Sequence, residues 1–412
     1  MNAFNAAKSW RRAALGATLL MVLSACTMSD IQIGSRTLSF GGDDGGQPQQ
    51  SFPTQQPVMP TGPSQSFGRG PVKVALLLPL SGDAGLASVG TSLANASRLA
   101  IAFIEANPNI AENITITLRD TGATVQGATS AASAAVADGA KLILGPLRAD
   151  QVTAAGAVAR SAGLPLIGFS NNPNAASPGV YLLSVLPDAE MKRSLDWIKT
   201  QGRRGIAGVF PATEFGQAQE TAFRQQAVAA GFSPQAVYTF SNVGEAKQII
   251  DQALPAIQRG MIDTLILPDR ASAPTFGTLL AQAGLPPGDL QIVGSADWEG
   301  DPAIASATQL SGAVYPSVDP AGMAAIRGDY TARFGGQPHA LATIAYTATI
   351  LANVNTLSMA GQPYNATLLT AATGFNGRDG VFRFLGNGRS EYGLVLKKLA
   401  PGGSQVIEGV KL

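Results

Sequence analysis

Cysteine and histidine are nearly missing: the 412 residues hold one of each, Cys26 and His339. A lone cysteine cannot close an internal disulfide, and one Cys with one His excludes most Cys/His metal sites. Charge is also scarce. Asp, Glu, Lys and Arg make up 13% of the chain, against about 25% in an average soluble domain, and they nearly cancel to a net +1. Such a chain has no electrostatic footprint for nucleic acid. No G-x-x-x-x-G-K-[ST] occurs, so a P-loop is excluded. "GFSNN" at 168–172 lacks the second glycine of a nucleophile elbow. His339 opens an apolar helical pattern as an ordinary surface or capping residue, and no acid pair stands out for proton transfer. The expectation is a protein that is not an enzyme and needs neither metal nor cofactor.

What is present begins with a leader. Lys8, Arg11 and Arg12 precede "AALGATLLMVL" (13–23), an apolar run too short to span a bilayer as a mature helix. It ends in Leu23-Ser24-Ala25-Cys26, which resembles a bacterial lipobox. That resemblance implies a signal peptide over 1–25, cleavage before Cys26 and a diacylglycerol on its sulfur. An ordinary secretory signal followed by a buried cysteine is the alternative. Thr27 stands where an inner-membrane retention signal would place Asp, so the resemblance favours the outer membrane. Residues 26–71 are rich in Gly, Ser, Gln and Pro and cannot bury enough apolar surface to fold alone. They are expected to be a flexible linker between lipid and folded domain. As a coil its 44 residues from 27 to 70 would span roughly 35–40 Å.

From residue 72 apolar runs of strand length alternate with helical patterns. "VKVALLLPL", "ITITLRD", "KLILGP" and "PLIGFS" are separated by helices that end in glycine. A crossing segment, "YLLSVLP", follows, and the alternation restarts through "RGIAGVFPA", "QAVYTFS", "DTLILPD" and "QIVGSADW". Helical patterns at 321–335 and 339–360 precede a strand-rich, glycine-punctuated end that reads as a hairpin or meander. Buried strands alternating with helices predict an α/β fold with parallel sheets covered on both faces.

Four segments in order, "VALLLPLSGDAGLASVG", "GATSAASAAVADGAKLILGPLRADQVTAAGAVARSAGLPLIGFS", "GVFPATEFGQAQETAFRQQAVAAGF" and "GFNGRDGVFRFLGNGRS", resemble type I periplasmic binding proteins of the leucine-binding branch. The likeness runs over 72–412 and rests on order and spacing, since each piece alone is a βα turn with glycines. It implies two Rossmann-like lobes joined by a three-stranded hinge. Lobe one would be about 72–184 and 312–374, and lobe two about 185–311 and 375–412. Ligand would bind between them, at the C-terminal ends of the strands.

The candidate ligand-binding residues are the strand-end loops: Ser81 and Asp83, Arg148, Ser170 and Asn171, Phe215, Asp269, and Asp297. Leu147, Asn172, Glu214, Arg270 and Trp298 stand beside them. Ser170 with Asn171 is the strongest functional pair, and several of the others have a plainer reading. Asp83, Asp269 and Asp297 read equally as helix caps, Arg148 as a solvated helix start, and Phe215 and Trp298 as half-buried core. Amino-acid binders of the branch place small hydroxyl residues after the Gly-Pro turn, whereas this chain has Leu147-Arg148. Two functions are compatible with the resemblance. One is the substrate-binding component of an ABC-type transport system, with an amino-acid-like or other small polar ligand and a permease as partners. The other is an outer-membrane lipoprotein similar to the activators of penicillin-binding peptidoglycan synthases, with the synthase as partner. That second comparison lacks the N-terminal helical-repeat domain of the best-known activators.

Overall fold

The computed structural model describes residues 31–33, 36–38 and 65–412. The expected signal peptide and the lipid-bearing Cys26 lie outside the described residues. Strands β1 (Ile31–Ile33) and β2 (Arg36–Leu38) pair antiparallel, Ile31 opposite Leu38.

The larger unit starts earlier than expected. β3 (Gln65–Phe67) pairs antiparallel with β5 (Ile114–Asp120) at the edge of a sheet, so the end of the segment expected to be linker belongs to the fold. Phe67 is the physical reason: it packs against the core while Arg98 stacks over its ring, 5.4 Å from the centroid. β4 (Val72–Leu78), α1 (Ala84–Ala106), α2 (Val125–Ala137), β6 (Leu142–Leu144), α3 (Ala149–Ser161), β7 (Leu166–Gly168) and β8 (Val180–Leu182) follow. The sheet order is β3-β5-β4-β6-β7-β8, parallel apart from β3. β4 shows why its sequence is apolar without alternation. Val74, Leu76 and Leu78 enter one buried cluster with α1, while Ala75 and Leu77 enter another with α2 and α3. A strand covered on both faces has no polar side to show.

The second run comprises α4 (Pro187–Thr200), β9 (Ile206–Pro211), α5 (Glu214–Ala230), β10 (Ala236–Phe240), α6 (Ala246–Gln258), β11 (Thr264–Ile266), α7 (Ala273–Gln282), β12 (Gln291–Val293), α8 (Pro302–Ser306) and β13 (Val314–Ser317). Its sheet also has a core on each face, one built with α6 and α7, the other with α4 and α5.

The chain then returns to the first lobe. α9 (Pro320–Phe334) and α10 (Ala342–Asn353) pack on α1, followed by α11 (Asn355–Ser358) and α12 (Ala366–Leu369). The single helix expected over 339–360 is broken, because the Asn353 carbonyl accepts from the Asn113 side chain (2.8 Å) while Asn353 Oδ1 accepts from Asn113 N (2.8 Å). β14 (Phe375–Gly377), β15 (Gly380–Phe384) and β16 (Ser390–Tyr392) form a small antiparallel sheet. β17 (Leu394–Ala400) and β18 (Gly403–Lys411) complete the second large sheet, in the order β10-β9-β11-β12-β13-β17-β18.

Two expected lobe boundaries are therefore corrected. The strand at 314–317, expected in lobe one, lies in the lobe-two sheet between β12 and β17. Residues 375–392, expected in lobe two, belong to lobe one: Phe382, Phe384 and Tyr392 are buried in its core, and Phe384 lies 5.4 Å from the Tyr181 ring. Sheet membership is decided by partners distant in sequence, which a strand's own residues do not reveal. The result is two α/β lobes joined by three short crossings, at 183–186, 318–319 and Gly393. Hydrogen bonds and an ion pair tie down residues at and beside two of the crossings. Ser390 Oγ donates to Ser184 O (2.9 Å), Gly393 N to Val381 O (2.8 Å), and Arg389 Nη1 pairs with Asp188 (3.2 Å). Among the described residues no helix is long and apolar enough to cross a membrane.

Candidate functional site

Parallel strands release their loops at one end, so the C-terminal ends of both sheets gather the loops that lead into helices. In lobe one the loop after β4 is pinned by Asp120. Its Oδ1 accepts from Leu80 N (2.8 Å) and Gly122 N (2.7 Å), and its Oδ2 accepts from Ser81 Oγ. Burial works to raise the Asp120 pKa, but these hydrogen bonds outweigh it and hold the carboxyl below its ordinary value. Ser81 is thus engaged in shaping the loop. Asp83 caps α1, its Oδ1 accepting from Leu86 N at 2.8 Å.

After β6, Gly145 has φ +79°, and a Cβ there would stand 2.1 Å from Leu77 O, so only glycine lets the turn cross the neighbouring strand. The turn sends Leu147 partly into the lobe-one core and Arg148 outward. The Arg148 guanidinium forks onto Asp150, Nε to Oδ1 at 3.1 Å and Nη2 to Oδ2 at 3.0 Å. After β7, buried Ser170 accepts from Asn172 N (3.1 Å), Asn172 Oδ1 accepts from Asn174 N (3.0 Å), and the Asn171 side chain is exposed.

In lobe two, α5 begins close to its strand. A Cβ on Gly216 would stand 1.8 Å from Pro211 O, as one on Gly90 of α1 would stand 1.9 Å from Pro79 O in lobe one. This close approach brings Glu214 and Phe215 to face lobe one. The Asn172 amide donates to Glu214 Oε1 across the interlobe gap. Between these walls lies a cleft of ≈ 600 Å³ lined by Arg148, Asp150, Ser170, Asn171, Glu214 and Phe215, among others.

Four expected site residues therefore meet in one cavity: Arg148, Ser170, Asn171 and Phe215. The other four do not line it. Ser81 and Asp83 serve the loop after β4 as described, and Asp269 accepts from Ser272 N (2.9 Å) ahead of α7. Asp297 faces Arg270 at 3.5 Å, with Asp301 3.8 Å from the same guanidinium. Burial raises the Asp297 pKa, opposed by Arg270 and reinforced by Asp269 and Asp301. Trp298 is 1% exposed and packs in the lobe-two core against Tyr315. His339 does cap locally, its Nδ1 accepting from Leu341 N at 3.2 Å.

Two further residues are not marked as special by the sequence. Asp150 is an acid in a first helical turn like several others, and nothing local shows that it holds Arg148. Glu190 occupies the same kind of position in α4, but α5 and the loop after β12 close over it. It is 5% exposed, and its Oε2 accepts from Gln219 Nε2 (3.1 Å) and Ala296 N (3.3 Å). Burial pushes its pKa up to about 7, against the pull of those hydrogen bonds and with a further push from Asp297.

Two parallel-sheet lobes, three crossings and a polar cleft at the strand ends define a two-lobed binding protein. The chain belongs to the periplasmic binding protein family, whose model matches residues 71–391. Its fold is shared by solved structures of low identity. One, assigned to a branched-chain amino acid ABC transporter of Rhodospirillum rubrum, is 20% identical with TM-score 0.70, covering 82% of this chain and 99% of that one. An ABC transporter substrate-binding protein of Desulfitobacterium hafniense, in complex with Leu, is 18% identical with TM-score 0.62 and the same coverages. The C-domain of LpoA from Haemophilus influenzae, a regulator of PBP1A, is 16% identical with TM-score 0.61, covering 81% and 99%. No curated protein matches the sequence.

Proposed function

We propose that this protein is a non-enzymatic periplasmic lipoprotein, anchored through Cys26, that takes a small polar ligand between its lobes as the substrate-binding component of an ABC-type transport system. The observation that carries this reading is the ≈ 600 Å³ cleft with polar side chains from both lobes. The volume is within the range of small-molecule sites, and short crossings between lobes suit hinge closure on a ligand. Asn171 on one wall and Phe215 on the other supply a hydrogen-bonding and an apolar contact. The test is a thermal-shift screen of the purified protein against small solutes. A ligand at a hundred times its Kd adds about 2.7 kcal/mol to stability, which a melt resolves; absence of any shift across sugars, amino acids, amines and organic acids would remove the reading.

One observation favours a second reading. Asn172 and Glu214 already join the lobes side chain to side chain, so the cleft edge is held without help from a ligand. In that reading the domain is a protein-contacting module of an outer-membrane lipoprotein that activates a penicillin-binding peptidoglycan synthase. Crosslinking in cells followed by purification separates the two: recovery of permease subunits without synthase supports the first and eliminates the second.

A further inference from the structure

The cleft's charge selects among ligands, an inference that rests on the small-ligand reading above. Two devices let such a cleft hold a carboxylate: a free cation, and the N–H groups at a helix N-terminus. Both are met by acids of this chain. Arg148 is the one cation lining the cleft among the described residues, and Asp150 holds it by two hydrogen bonds of 3.1 and 3.0 Å. The hydrogen bond and charge of Asp150, with further contributions from Asp83 and Glu214, raise the Arg148 pKa. Against that one cation the cleft lining sets two acids, Asp150 and Glu214. The helix N-termini are met by built-in acids as well: Asp83 caps α1, Asp150 lies in the first turn of α3, and Glu214 in the first turn of α5.

What stays open to a ligand is of the other sign. Glu214 uses Oε1 for Asn172 and leaves Oε2 without a partner among the described residues. The Asn171 side-chain amide, exposed on the facing wall, likewise has no hydrogen bond among them. Phe215, next to Glu214, adds a ring face that attracts cations. We propose that the ligand of this cleft is a polar amine without a free carboxylate, its ammonium held by Glu214 and its polar remainder by Asn171. A zwitterionic amino acid would bring its carboxylate toward Asp150 and Glu214 with no free cation to receive it.

The experiment uses pairs matched in skeleton: amino acids against their amides, putrescine against succinate, and glucosamine against glucuronate. Binding to the purified protein is measured by calorimetry at low and at moderate salt. Expected are binding of amine members at least about tenfold tighter than of their carboxylate partners, weakening with salt, and about a tenfold loss in Glu214→Gln, the scale of one charged hydrogen bond. Asp150→Asn, which releases Arg148, should narrow the gap by admitting carboxylates. Carboxylate members binding as well as or better than the amines would overturn this inference and leave the small-ligand reading standing. If no member binds and the broad solute screen also finds nothing, both fall.

Discussion

Replacing Glu190 by Gln should make the protein more stable at alkaline pH, although a hydrogen-bonded buried carboxylate is removed. Glu190 is pushed up to about 7 from an ordinary 4.5, first by burial, against the opposing hydrogen bonds from Gln219 and Ala296, and with a further push from Asp297. A carboxyl whose folded pKa is raised favours the protonated native state. Its contribution is complete below pH 4.5, declines as pH rises from about 4.5 to about 7, and is gone above that. At about 1.36 kcal/mol per pH unit, the window is worth about 3 kcal/mol. The Gln variant carries no charge at any pH and keeps an acceptor for Gln219 Nε2 or Ala296 N. Gln219 Oε1 is a buried acceptor without a partner among the described residues. At pH 5 the two proteins should agree within about 1 kcal/mol; at pH 8 the variant should be ahead by up to about 3 kcal/mol, a few degrees in Tm for a chain of this size. Paired melts at the two pH values measure this directly. The difference between parent and variant cancels the titration of Asp379, a second buried carboxyl pushed up by desolvation to about 6. Equal pH dependence in both proteins, or a variant that loses stability at pH 8 but not at pH 5, would refute the reasoning.

Two further substitutions probe what places the lobe-two wall. Gly216→Ala puts a Cβ 1.8 Å from Pro211 O, so the first turn of α5 must move with Glu214 and Phe215; a loss of about 1–3 kcal/mol is expected, with weakened ligand binding by calorimetry, and unchanged melting would contradict it. Arg193, 5% exposed, donates to Leu394 O (2.9 Å), Glu408 (2.9 Å) and Gly409 O (3.2 Å). Arg193→Ala removes the donor to the two carbonyls and leaves Glu408 with Lys411 (2.9 Å); it should cost about 1–3 kcal/mol by denaturant unfolding, whereas no measurable cost would show the network to be dispensable.

The sequence announces the strands and helices because each signal is local. An unbroken apolar β4 reports two covered faces, and glycine-ended helical patterns report the crossovers between parallel strands. It misassigns 314–317 and 375–392 because their sheets are chosen by long-range pairing: Val314 opposite Lys398, and Phe382 opposite Tyr392 within lobe one. The site follows the same division. Strand ends pointed to Arg148, Ser170, Asn171 and Phe215, since a loop position can be counted from the end of a strand. The pairing of Arg148 with Asp150 and the burial of Glu190 depend on rotamers and on neighbours more than a helix away. In the sequence, acids in first helical turns all look alike; only packing separates the solvated Glu214 from the buried Glu190.

The interleaved course of the chain fixes when the molecule can become complete. Lobe two opens at Pro187, yet two strands of its sheet, β17 and β18, are supplied by residues 394–411, after the chain has returned to build the remainder of lobe one. Neither lobe can close its core during synthesis as a finished N-terminal unit: the first waits for α9, α10 and β14–β16, the second for the last strand. Folding that depends on contacts this distant in sequence is slow and leaves sheet edges exposed meanwhile. A chain cut short by even its final twenty residues would lose the strands that complete the second sheet, and with them the support for one whole wall of the cleft.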